Sequence, residues 1–223
     1  TTTRLIKEND MIPKSTQSGC HVLALSAVVA CLLALPSEAA ERYVAKFAPL
    51  NAEKIGTSAS GTADLQVANG KLSVSIEIVG LTPGLMHLQH FHGFADGRDA
   101  ACPTAKEDAN GDGYIDLIET EAVAGTTMLP FHEHPVTLEI PNDTYPVANN
   151  KGAASYTHSD SVGELEKALK VKFKAPALDL VKRVIFVHGV ASDTKLPESV
   201  KSLPGVPAQV TIPVACGKIE AVK

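Results

Sequence analysis

The chain has 223 residues, of which 44% are hydrophobic and 4% aromatic, with no tryptophan and a net charge of −5. That length holds one ordinary domain or two small ones, with a core that valine, alanine and leucine must fill. The net acidity and the lack of any basic block argue against nucleic acid, and against an anionic membrane surface, as the main partner.

Residues 1–10 read as upstream, non-native sequence, with Met11 as the start. From Met11 the chain runs MIPKSTQSGCHVLALSAVVACLLALPSEAAERY. Lys14 precedes an apolar run from His21 to Leu35, Pro36 breaks it, and Ser37 and Ala39 are small residues placed for cleavage. This pattern predicts a secretory signal peptide over 11–40 and export to a bacterial periplasm or the exterior. No transmembrane span is expected, because the run is about 15 residues long where roughly 20 are needed. Val28-Val29-Ala30-Cys31 also fits a loose lipobox, so lipid anchoring at Cys31 is a lesser alternative.

The remainder, 41–223, reads as a single β domain. RYVAKFAPL, GTADLQVANG and KLSVSIEIVGL alternate or carry β-branched residues, and Asn69-Gly70 is a hairpin turn. PVTLEI, GAASYTH, KRVIFVHGV and AQVTIPVACGKI are further strand candidates. Between them SVGELEKALKVKF, Ser161 to Phe173, has helical spacing and predicts one inserted helix. The expected fold is all-β, a barrel or sandwich of about eight antiparallel strands. Two long connections, roughly 93–133 and 189–206, are where function is expected on such a scaffold. With Cys20 and Cys31 removed by cleavage, Cys102 and Cys216 remain in an oxidising compartment and are expected to pair, the alternative being two buried thiols.

His90 and His92 lie one residue apart, so in a strand both imidazoles leave one face. His188 ends the apolar run RVIFVH and is expected to reach the same spot. Imidazole suits copper and zinc. Affinity is expected to fall as pH drops through roughly 6.5, where an ordinary histidine protonates. His87 and His132 are weaker candidates for a fourth ligand.

GLTPGLMHLQHFHGFADG, ACPTA, RVIFVHGV and VACGKI, in that order, resemble the segments of the copper/zinc superoxide dismutase family that carry two copper histidines, the first disulfide cysteine, a further copper histidine and the second cysteine. The resemblance covers roughly 42–222. It implies an eight-stranded Greek-key β-barrel, a Cys102–Cys216 bridge, copper on His90, His92 and His188, and superoxide as substrate. The chain is also similar to the CHRD domain, which has an H-x-H-G strand and no established catalysis. It departs from the dismutase pattern in three places. CPTAKEDANGDG holds no histidine where the family has its bridging ligand. The zinc ligands have no counterparts, so zinc is not expected at the family position. Pro213 stands where the family has its guiding arginine.

In place of the zinc loop the chain has DANGDGYIDLIE, Asp108 to Glu119, which matches the twelve-residue EF-hand calcium pattern. Asp108, Asn110 and Asp112 supply oxygens at places 1, 3 and 5. Gly113 allows the turn at place 6, and Tyr114 offers its carbonyl at place 7. Asp116 stands at place 9, acting through water, and Glu119 at place 12. The expected role is a structural clip on the long loop. Two functions follow from the sequence: an exported copper- and calcium-binding protein that dismutates superoxide, or a non-catalytic, CHRD-like calcium-binding module. The oligomeric state is not legible in it.

Overall fold

The first three strands, β1 (Glu41–Pro49), β2 (Ser60–Ala68) and β3 (Lys71–Val79), form an antiparallel meander. Along β3 the alternation is strict: Leu72, Val74, Ile76 and Ile78 are buried, while Lys71, Ser73 and Glu77 face solvent. The β2–β3 turn is Asn69-Gly70, with φ of 51° and 71°, the positive pair that a two-residue hairpin matching strand twist demands. Five more strands follow: β4 (Leu88–Gly93), β5 (Thr126–Pro130), β6 (Ala154–Ser161), β7 (Val184–His188) and β8 (Pro213–Ala221). This computed structural model describes residues 39–141, 143–175 and 177–223. The leading segment, Cys20, Cys31 and all but the last two residues of the expected signal peptide lie outside the described residues.

The eight strands make one antiparallel sheet, in the order β5-β4-β7-β8-β1-β2-β3-β6, curled into a half-barrel. Its two edges, β5 and β6, are not hydrogen-bonded to each other. Among the described residues there are four α-helices, α1 (Ala52–Ile55), α2 (Leu117–Ala124), α3 (Val162–Phe173) and α4 (Ala208–Thr211). The longest, α3, packs against both edge strands and buries Leu165 and Leu169, so the inserted helix expected from sequence fills the seam. Its N-cap is Ser161, whose hydroxyl accepts from the Glu164 N–H. Among the described residues no helix is long and apolar enough to cross a membrane.

Three expectations about strands are overturned, one being the start of AQVTIPVACGKI, where Ala208–Thr211 is the helix α4 and the strand begins only at Pro213. PVTLEI is not a strand: Pro135–Thr137 is a 3-10 turn with proline at its start, and Leu138 follows at a φ of 55°. Its apolar residues still pack inward, Leu138 into the main core with Val136 against it. Conversely, β5 lies inside the stretch expected to be one long connection. The connections proper are 94–125 and 189–212.

Apolar side chains separate into two clusters. The main core holds Ala45, Leu65, Ile76, Phe91, Ile185, Val187 and Ile219 on the inner face of the sheet. A satellite cluster of Leu50, Ala100, Ile115, Ala124, Val184, Phe186 and Cys216 packs the long loop onto the outer face of β7 and β8. Cys102 and Cys216 form a disulfide that pins that loop to β8, as expected from sequence.

Arg183, at the start of β7, is 2% exposed. Its Nε donates to the Leu178 carbonyl at 3.0 Å, Nη1 to Phe94 at 2.9 Å and Nη2 to Ala177 at 3.5 Å. It therefore clamps the chain leaving β4 to the segment before β7. A Cβ at Gly93 would run into the guanidinium, which is why glycine ends β4. Replacing Arg183 by methionine keeps the bulk and strands these carbonyls. Chemical denaturation is expected to show a loss of about 3 kcal/mol, the cost of two or three unpaired buried acceptors. A loss below about 1 kcal/mol would mean water replaces the clamp.

Candidate metal centre

Antiparallel pairing sets Leu88 opposite His188, His90 opposite Phe186 and His92 opposite Val184. Alternation then puts His90, His92, Phe186 and His188 on one face of the β4–β7 pair, the face covered by the long loops. Phe91, Ile185 and Val187 take the other face, in the main core. Irregularities in the ladder help to aim two of the rings. The β4–β5 register slips between Phe91 and His92, and the β7–β8 register slips between Val187 and His188. A bulge turns a side chain locally without ending the sheet.

The three rings are 3%, 1% and 2% exposed. Their centroids lie 4.7 Å apart for His90 and His188, 5.1 Å for His90 and His92, and 5.7 Å for His92 and His188. One nitrogen of each lies within 4.8 Å of the others. Among the described residues this is the one group of histidine, cysteine, aspartate and glutamate drawn so close together.

Hydrogen bonds decide which nitrogens are free. His188 Nδ1 donates to the Thr211 carbonyl at 2.7 Å, and its Nε2 is buried without a partner. His90 Nδ1 is likewise buried without a partner. His92 Nδ1 donates to the Gly125 carbonyl at 3.2 Å, and its Nε2 meets the Thr127 hydroxyl at 3.0 Å. Backbone carbonyls on the far nitrogens of His92 and His188 hold tautomer and ring orientation, as outer partners do in metal sites. A bare lone pair on His188 and an unpartnered His90 nitrogen, buried beside the His92 ring, make an arrangement that a metal ion satisfies and an apolar core does not.

No family model and no curated protein matches this chain.

Burial keeps these rings neutral. It pushes His92 down to about 3, helped by the charge His188 would carry, and His188 down to about 4. Burial and the two neighbouring imidazoles take His90 well below the ordinary value. The expected loss of metal affinity through pH 6.5 is therefore corrected: the folded site holds its lone pairs well below that pH. Stability carries the pH dependence instead. An unfolded histidine takes its proton near 6.5, while folded His92 and His188 take theirs at about 3 and about 4. Between these values the unfolded state binds more protons, so stability is full above pH 6.5 and falls as pH drops towards 4. Chelator-treated protein is expected to melt progressively lower from pH 6.5 to 4.5, and a variant with all three histidines replaced by glutamine should show a much flatter profile. A parent melting temperature constant over that range would contradict the buried, neutral state.

His87 and His132 lie outside this group. His87 is fully buried, with Nδ1 3.0 Å from the His188 carbonyl and Nε2 3.3 Å from the Thr82 carbonyl. It braces the backbone of His188. His132 Nε2 donates to the Glu139 carbonyl at 2.7 Å, its Nδ1 accepts the His134 N–H at 3.0 Å, and its ring packs edge-on to Tyr145. Both nitrogens are in use.

The acidic loop closes on itself through its carboxylates. Asp108 Oδ1 accepts the N–H groups of Gly111 and Asp112, and Oδ2 that of Gly113. Asn110 Oδ1 accepts from Asp112 and Asp112 Oδ1 from Tyr114. Glu119, in the first turn of α2, reaches back with Oε1 to the Ala109 N–H at 2.9 Å. Gly111 and Gly113 take φ of 73° and 83°, as the sharp turn requires. Asp116 is 1% exposed, and its two oxygens are engaged. Oδ1 caps α2 through the Glu119 N–H at 3.0 Å, and Oδ2 accepts the Lys201 N–H at 2.6 Å. Its place is thus that of a helix cap joining the two long connections, and the loop carboxylates do not converge as the histidines do. In place of an entering helix there is one 3-10 turn, Ala105–Glu107. Asn51, which no sequence signal marked, fastens the loop: its amide accepts the Ile115 N–H at 2.7 Å and donates to the Ile115 and Pro213 carbonyls at 2.9 and 3.0 Å.

Proposed function

We propose that this chain is an exported copper-binding protein, with His90, His92 and His188 holding the ion and the 108–119 loop binding calcium. The observation that carries the copper reading is the pair of buried, unpartnered nitrogens, His90 Nδ1 and His188 Nε2, beside His92. Three neutral imidazoles bring no countercharge. Burying a singly charged ion among them costs less than burying a doubly charged one, which favours copper(I) over zinc. Bound copper would supply one-electron chemistry. The protein's own part is to fix the ring tautomers through Thr211 and Gly125, brace His188 through His87, and keep water from the rings.

The resemblance to copper/zinc superoxide dismutases supports superoxide as the substrate of such a centre. With no bridging histidine and Pro213 in place of an arginine, we expect copper-loaded protein to turn superoxide over far more slowly than a complete member of that family. Metal analysis of protein purified from the periplasm, followed by a superoxide assay on the loaded protein, tests both parts. Near-complete burial of the rings favours a second reading, a calcium-binding module whose histidines are structural, and calcium without copper in that analysis would select it.

The calcium part is tested separately. Glutamine at Glu119 keeps one acceptor for the Asp116 N–H of the helix cap, gives up the second oxygen that faces the Ala109 N–H, and removes the charge, so Glu119→Gln is expected to weaken calcium binding by about tenfold or more. Native proteolysis of the parent is expected to cut the 94–125 connection faster after chelation. Equal cleavage with and without chelator would remove calcium from the account.

A further inference from the structure

Thr127 lies outside every motif of the sequence, yet it holds one of the three lone pairs. The Gly125 carbonyl facing His92 Nδ1 only accepts, so in the neutral ring the proton sits on Nδ1 and Nε2 is bare. The Thr127 hydroxyl, 3.0 Å away, is then the donor and Nε2 the acceptor. His90 Nδ1 and His188 Nε2 have no such cap. One lone pair cannot serve a hydroxyl proton and a metal ion together.

Thr127 also stands at an opening. With His92, Leu117, Glu121, Lys172 and Leu203 it lines a cleft of ≈ 270 Å³ between α2, the edge strand β5 and the end of α3. Lys172 donates to the Leu138 carbonyl and keeps its positive charge, so it and the Glu121 carboxylate offset each other in the lining. On the reading of the histidines as a copper centre, we propose that this cleft is the entrance and Thr127 its gate. In the metal-free protein the hydroxyl caps His92. Rotation of the Thr127 side chain about its Cα–Cβ bond carries the hydroxyl away and frees the lone pair for the incoming ion, with no movement of the backbone.

The test uses Thr127→Val, which keeps shape and suits a strand, and Thr127→Ser, which keeps the hydroxyl. Anaerobic copper(I) titration against a competing chelator is expected to show roughly three- to tenfold tighter binding in the valine variant, the worth of one neutral hydrogen bond no longer displaced. The serine variant should match the parent. In metal-free protein, the ¹⁵N resonance of His92 Nε2 should move in the valine variant and stay in the serine variant, a readout independent of copper and of activity. Valine binding no tighter than the parent, or an unmoved resonance, overturns the gate alone. A parent that binds no copper(I) overturns the copper reading, and the gate falls with it.

Discussion

Replacing His188 by asparagine is expected to lower copper affinity by at least about a hundredfold, more than losing an outer partner usually costs. The choice of asparagine matters. His188 does two jobs: Nδ1 donates to the Thr211 carbonyl at 2.7 Å, and Nε2 is the bare lone pair. The asparagine amide stands near the first position and keeps that donor, while nothing replaces the second. The main-chain carbonyl that His87 braces is also kept. Loss of copper with an unchanged melting temperature in the metal-free state therefore reports on the ligand and not on the fold. His158, on β6 beside Asp160 at 3.3 Å, is the control, and His158→Asn should bind copper as the parent does.

Removing the disulfide is expected to be the most damaging change to stability. The bridge joins residues 114 apart. In the chain-entropy account a loop of that length contributes about 5 kcal/mol, a large share of the roughly 5–15 kcal/mol that a domain has. Cys102→Ser should lower the melting temperature by roughly 10–20 °C. The effect should reach the histidines as well. Cys216 pairs with Phe186 across β7 and β8, and the Phe186 ring lies 4.6 Å from that of His92. A loop loosened from β8 loosens the wall of the centre, so copper binding should weaken alongside. A melting temperature within about 2 °C of the parent would show that the satellite cluster alone holds the loop.

What was legible in the sequence follows from how far each signal depends on distant chain. Period-two alternation and Asn69-Gly70 are local, so β1 to β3 and their turn were readable, as was the 3.6-residue spacing of α3. PVTLEI carries the same alternation, but Pro135 starts a turn and Leu138 reaches the core from a left-handed backbone. Tertiary packing overrode the pattern there. The strand β5 has no alternation of its own and is strand because it pairs with β4. For the histidines, H-x-H on a strand sufficed to place His90 and His92 together. The end of the run RVIFVH ranked His188 above His87 and His132, but it could not show that carbonyls and amides from elsewhere already occupy the nitrogens of the latter two. Thr127 and Thr211 act through single contacts to the histidines across 35 and 23 residues, and Asn51 through contacts across 64 and 162, and no local spacing encodes those.

The central claim is that His90, His92 and His188 together hold one copper ion. Copper(I) titration with X-ray absorption on the loaded protein tests it most directly. The account predicts one copper per chain, a first shell of imidazole nitrogens, and loss of binding when any of the three histidines is replaced by asparagine. Binding by all three variants at the affinity of the parent, or a first shell without imidazole, would contradict it.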